Sequence, residues 1–170
     1  MSPCRSGERL TVEDRTPRRD LAAVYRELAQ RPGRAIFIEV IGRREGGVVR
    51  AESLRRAYAE GPGCREELES VYLRANGTDP LWHLDVREEG VLLRRIGEYE
   101  AQRYPARPLE RVGEEFRYEG AAEKSVLRVT VRTGRCHDPM TGALYTLRVR
   151  AERDGTKLTG CAYWGDLAPR

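Results

Sequence analysis

Apolar residues recur along this chain with two different periods, and the change of period divides it. Leu21, Val24, Tyr25 and Leu28 are spaced by three and four, which lines one face of a helix. Thr16 suits the N-cap and Pro17 the first helical position, while Arg31-Pro32-Gly33 ends the element. A β-rich run over 35–41, bounded by Gly42, and a shorter one over 48–51 are separated by Gly46-Gly47, which predicts a hairpin. Residues 53–59 read as a helical turn, broken by Gly61-Pro62-Gly63.

From Val71 onward the period is two. Trp82, Leu84 and Val86 alternate with Leu81, His83 and Asp85, and the same alternation runs through 127–132 and 145–151. Such strands put one face in a core and the other in water, and Asp154-Gly155 joins two of them as a tight hairpin turn. The pattern predicts a β-dominated α+β protein: an N-terminal helix and hairpin, then a small antiparallel β-barrel or strongly curved sheet. It divides into a flexible lead-in over 1–15, a helix-plus-hairpin lobe over 16–75 and an antiparallel β-lobe over 76–170. The stretch 99–115, with Pro105 and Pro108, reads as an extended loop.

Charge adds little about partners. The net charge of +4 comes from 31 basic and 27 acidic residues, interspersed and without a long basic block, so nucleic acid is not an expected partner. No apolar run reaches the ~18 to 20 residues of a membrane helix, so no transmembrane segment is expected. The first residues also lack the apolar stretch of a signal peptide, so the expectation is either a cytosolic chain or one whose leader has been removed and replaced by an initiating Met.

Cysteine says more. Cys4, Cys64, Cys136 and Cys161 contain no C-x-x-C spacing, which removes support for a zinc ribbon or a thioredoxin-type site. Cys136 and Cys161 stand at opposite ends of what reads as one hairpin and are expected to pair, which leaves Cys4 with Cys64. Disulfides persist in oxidising compartments, so the expected address is the periplasm or cell envelope.

Two motifs carry a family resemblance. Gly77-Thr78-Asp79-Pro80-Leu81-Trp82 resembles a Gly-x-Glu-Pro-Phe-Trp signature. Cys136-His137-Asp138-Pro139-Met140-Thr141, with Tyr145 and Gly160-Cys161-Ala162, resembles Cys-x-Asp-Gly-Met-Ser, Tyr-Pro and Gly-Cys-Ala signatures. Together they are similar to those of an uncharacterised family of bacterial envelope membrane proteins and lipoproteins, related in style to META/HslJ-like and NlpE-like β-domains. The resemblance covers roughly residues 71–165 and, more faintly, 37–43 and 61–64. Asp79 stands for Glu, Leu81 for Phe, Pro139 for Gly and Thr146 for Pro. The family implies export and a β-rich lobe, and no activity.

The candidate ligand-binding residues are Asp79, Trp82, Asp138, Met140 and Tyr145. Asp79 and Asp138 would form an acidic pair for hydrolysis if the motifs meet, yet an Asp before Pro more commonly bonds the turn amides beside it. His137, Met140 and His83 offer soft and imidazole ligands for copper, against a solvated or hydrogen-bonded role for both histidines and a core plug for Met140. Trp82 shares the core phase of its strand. Arg128, Arg132, Arg148 and Arg150 would share an outward face if their strands pair.

The sequence therefore predicts a non-enzymatic envelope binding module without a cofactor, its partner an envelope protein, a glycan or a small molecule. The alternatives are a periplasmic copper-handling protein, a hydrolase built on the acidic pair, and an inhibitor of an envelope hydrolase.

Overall fold

The computed structural model describes residues 1–4 and 6–167, which form two compact units. The first comprises Met1–Glu67 with Thr141–Leu144. It holds strand β1 (Thr11–Asp14), helix α1 (Leu21–Ala29), and the strands β2 (Phe37–Glu45) and β3 (Val48–Tyr58). β2 and β3 are the predicted hairpin, and β1, within the expected lead-in, runs parallel to β3. The apolar face of α1 buries Val24 and Leu28 against Ala57 and Leu144.

Helix α1 begins four residues after the expected first position. The Asp14 carboxylate accepts hydrogen bonds from the Thr16 amide at 3.0 Å and from the Leu21 amide at 2.9 Å. It thereby holds the intervening turn and satisfies a first-turn amide of α1 from outside the helix. Burial pushes the Asp14 carboxyl up, but the hydrogen bonds from Thr16 and Leu21 outweigh it and hold it below the ordinary carboxylate range.

The helical turn expected over 53–59 is instead the second half of β3. Cross-strand pairing of Tyr58, Ala57 and Arg56 with Phe37, Ile38 and Glu39 outweighs the local helix preference of these residues. Arg56, only 3% exposed, donates from Nε to Glu39 at 2.6 Å and also bonds Glu66, and its guanidinium lies over the Phe37 ring at 5.3 Å. Cys4 and Cys64 are joined as expected.

The second unit comprises Leu68–Met140 and Tyr145–Arg170. Its strands are β4 (Val71–Thr78), β5 (Leu81–Arg87), β6 (Gly90–Arg95), β7 (Gln102–Tyr104), β8 (Glu110–Val112), β9 (Glu115–Ala122), β10 (Ser125–His137), β11 (Leu144–Arg153) and β12 (Thr156–Trp164). Their order is β7-β6-β5-β4-β12-β11-β10-β9-β8, in a strongly curved, half-barrel sheet. The alternation read from the sequence is realised: Leu73, Leu84, Leu93, Leu127, Val129 and Leu158 fill the concave side.

Two tyrosines link the ends of the strand order. Tyr104 on β7 hydrogen-bonds Ser125 on β10 at 2.9 Å, and the Tyr118 hydroxyl on β9 donates to the Pro105 carbonyl at 2.9 Å. Burial pushes the Tyr118 phenol up to about 12. The curved sheet is thus drawn together by side chains where a closed barrel would use a backbone ladder. The stretch 99–115, expected as a loop, contains β7 and β8, and Tyr104 is the buried anchor that fixes β7.

Cys136 and Cys161 are joined, but not across one strand pair. They lie on β10 and β12, and β11 runs between those strands. Cys161 pairs in register with Arg148, opposite in phase to the core residues Leu147 and Ala162, so the bond lies on the outward face, where the two Cα atoms stand 5.5 Å apart. In the chain-entropy relation, closing loops of 25 and 60 residues corresponds to roughly 3 to 4 kcal/mol each. Replacing both Cys136 and Cys161 by Ser should lower stability by about 3 kcal/mol in a denaturant titration. Peptide mapping without reductant should recover the 4–64 and 136–161 pairs alone.

Candidate functional site

The two motifs meet in the second unit, through an indole and a missing side chain. β4 and β5 pair so that Gly77 faces Trp82. A Cβ on Gly77 would stand 2.2 Å from the Trp82 indole nitrogen and 2.3 Å from the Thr159 carbonyl oxygen, so only glycine admits the ring there. Trp82, 1% exposed, donates from its indole N–H to that carbonyl at 3.2 Å. Gly160 repeats the device, since its Cβ would stand 2.0 Å from the Asn76 carbonyl oxygen. Glycine in both motifs therefore serves close approach between β4 and β12, with the cis Asp79–Pro80 peptide in the turn beyond.

Next to this contact, the Asp138 carboxylate ties the 136–140 segment to β4. It accepts from the Asn76 carboxamide at 2.9 Å and from the Met140 amide at 2.8 Å, and only 4% of the residue is exposed. The second bond is the Asx-type turn read from Asp138-Pro139. The disulfide fixes the same segment to β12.

Between these fixed points lies a cleft of about 450 Å³. It is bordered by the end of β4 from Asn76 to Thr78 with Asp79 beyond it, by 136–139, by Thr159-Gly160-Cys161, and by Arg148 and Arg150 of β11. Asp79, Asp138 and His137 thus come together at one hollow. Trp82 is not among the lining residues and lies buried beneath Gly77, while Tyr145 is buried and stacked on Tyr163 at 5.4 Å. Met140 is 65% exposed, which corrects its expected role as a core plug. The Asx turn at Asp138, followed by Pro139, turns the 138–140 segment outward and leaves the thioether in solvent.

His83, exposed as its strand phase predicted, belongs to a separate electrostatic node. Its Nε2 lies 3.1 Å from Asp85, which Arg74 grips from Nε at 2.7 Å and from a terminal nitrogen at 2.9 Å, with Arg87 at 2.9 Å. Burial pushes the Asp85 carboxyl up, but hydrogen bonds from His83, Arg74 and Arg87 outweigh it and hold it far below the ordinary carboxylate range. Among the described residues no three or more His, Cys, Asp or Glu side chains are grouped so as to hold a metal ion.

Asn76 and Thr159 were missed as site residues by the sequence reading. Asn76 left a trace, because asparagine is depleted in strand interiors and this one directly precedes the motif glycine. Thr159 left none, being an ordinary outward strand residue.

The chain matches no protein-family model, no curated protein and no solved structure. The geometry of the cleft therefore carries the functional reading.

Gly77→Ala should lower stability by about 2 kcal/mol and shift the Trp82 fluorescence, because a buried indole must move to admit one methyl. Asp85→Asn should cost about 3 kcal/mol at neutral pH by stripping Arg74 of its partner. The folded carboxyl titrates below its unfolded value of ~3.9, so its contribution is complete above that value and lost as pH falls beneath it. The stability gap between wild type and variant, followed by denaturant titration, should accordingly stay constant above about pH 5 and narrow below about pH 4.

Proposed function

We propose that this protein is a non-enzymatic binding module of the bacterial cell envelope, and that the cleft between the 76–79 stretch at the end of β4, the 136–139 segment and β11 is its ligand site. The observation that carries the reading is the convergence of both motifs on one hollow whose walls are fixed by a disulfide and a partly buried Asn76–Asp138 hydrogen bond. Walls held in advance lower the ordering cost of binding. The compartment is argued from the two disulfides, which persist where thiols oxidise, and from the motif resemblance. No helix among the described residues is long and apolar enough to cross a membrane.

A binding role fits Asp138 better than catalysis does. Its carboxylate is engaged by a side-chain amide and a backbone amide, the pattern of a group that holds a loop in place.

Titration of the purified chain with a library of small glycans and peptides, followed by backbone amide resonances, tests this. Shifts are expected at Gly77, Thr78, His137 and Gly160. Turnover of any library member that Asp79→Asn or Asp138→Asn abolishes would overturn the binding role in favour of a hydrolase.

A further inference from the structure

The cleft has a continuation that identifies its ligand chemistry, on the premise that the cleft is the binding site. Arg148 and Arg150 flank the buried Val149 on β11, so both side chains leave the outward face, separated by two residues or roughly 6.8 Å. The same two arginines line a second hollow of about 390 Å³, toward β10 and β9, whose other walls include Arg132 and Arg117. β11 is thus the shared wall of one furrow that crosses the outward face from β12 to β9.

Most charges along the furrow are already matched. Glu115 bonds both Arg117 and Arg132. Arg128, farther along β10, is held by Glu119 at 3.0 Å with Glu152 at 3.9 Å. Arg148 donates its Nε to the Arg135 carbonyl at 2.7 Å, and among the described residues neither its terminal nitrogens nor Arg150 meets a carboxylate. Two exposed, un-neutralised guanidinium groups therefore stand in the middle of the furrow, spaced for successive anions on one chain.

The remaining lining narrows the class of anion. Thr78, Thr130, Thr159 and Asn76 offer hydroxyls and a carboxamide, which suit a hydroxyl-rich partner. Among the described residues no Phe, Tyr or Trp side chain lines either hollow and His137 is the one ring present, so a single-stranded nucleic acid would lack the succession of stacking platforms that its binding sites use. Guanidinium groups engage carboxylates and phosphates alike through paired, parallel hydrogen bonds, so it is the hydroxyl-matching lining that favours a sugar acid.

We propose that the furrow binds an acidic polysaccharide, with Arg148 and Arg150 taking successive sugar carboxylates of one chain. Isothermal titration of the full chain with an oligogalacturonate tests it against three probes: the methyl-esterified form of the same oligomer, neutral dextran, and an oligothymidylate. Binding of the uronate alone is expected, weakening with added salt. The Arg148→Gln, Arg150→Gln double variant should lose roughly tenfold or more in affinity, as charge-assisted hydrogen bonds are removed. Arg128→Gln, whose arginine already has partners, should stay within about twofold.

Equal binding of the esterified oligomer, tighter binding of the oligothymidylate, unchanged affinity in the double variant, or no uronate binding at all would each overturn the proposal. None of these would by itself remove the cleft as a site, which rests on the amide shifts at Gly77 and His137 with other ligands. Loss of those shifts for every ligand would remove the wider reading.

Discussion

The bond between Cys136 and Cys161 sets the outward face of the second unit. A strand normally stays beside its ladder partner, but here the end of β10 is held to β12 with β11 in between. The covalent crossing gives the face relief where an antiparallel sheet would be a plain pleated surface. The hollow beneath the 136–139 segment exists because the segment is lifted over β11, and Asp138 then fixes its far side to Asn76.

The convex face gains its relief without disturbing the concave one because glycine carries the crowding. Gly77 and Gly160 let β4 and β12 approach with the Trp82 indole laid against the backbone, and its N–H reaches past β4 to a carbonyl on β12. Core packing beneath the cleft and the walls above it are therefore coupled through a few atoms. A change at either glycine would be felt on both faces, which makes these motif residues structural first and functional by consequence.

Much of this was legible in the sequence, and the misses share a cause. Strict alternation placed Trp82, Leu84, Val129 and Val149 in the core because a half-buried strand leaves that signal in every second residue. Both disulfides pair as expected, although the single hairpin from which the 136–161 pair was read is in fact β10 and β12 with β11 in the order between them, and Asp154-Gly155 marked the last hairpin. The helix start at Leu21 was misplaced because its capping oxygen comes from Asp14, outside the local window. Residues 53–58 were misread because pairing with β2, a non-local effect, overrides their own preference. The cleft was half visible: Asp79 and Asp138 announced themselves beside proline, whereas the joint role of Arg148 and Arg150 needed the neighbouring strands and the positions of the carboxylates.

The phenol bridges at Tyr104 and Tyr118 bear on association between molecules. A half-barrel has two bare rims, and an exposed rim is a template on which a foreign strand can add. Here each rim strand, β7 and β8, is only three residues long, and the hydroxyls of Tyr104 and Tyr118 hold the β7 side against β9 and β10. So little ladder is left to copy at these two rims that they resist edge-to-edge addition without ever completing the ring.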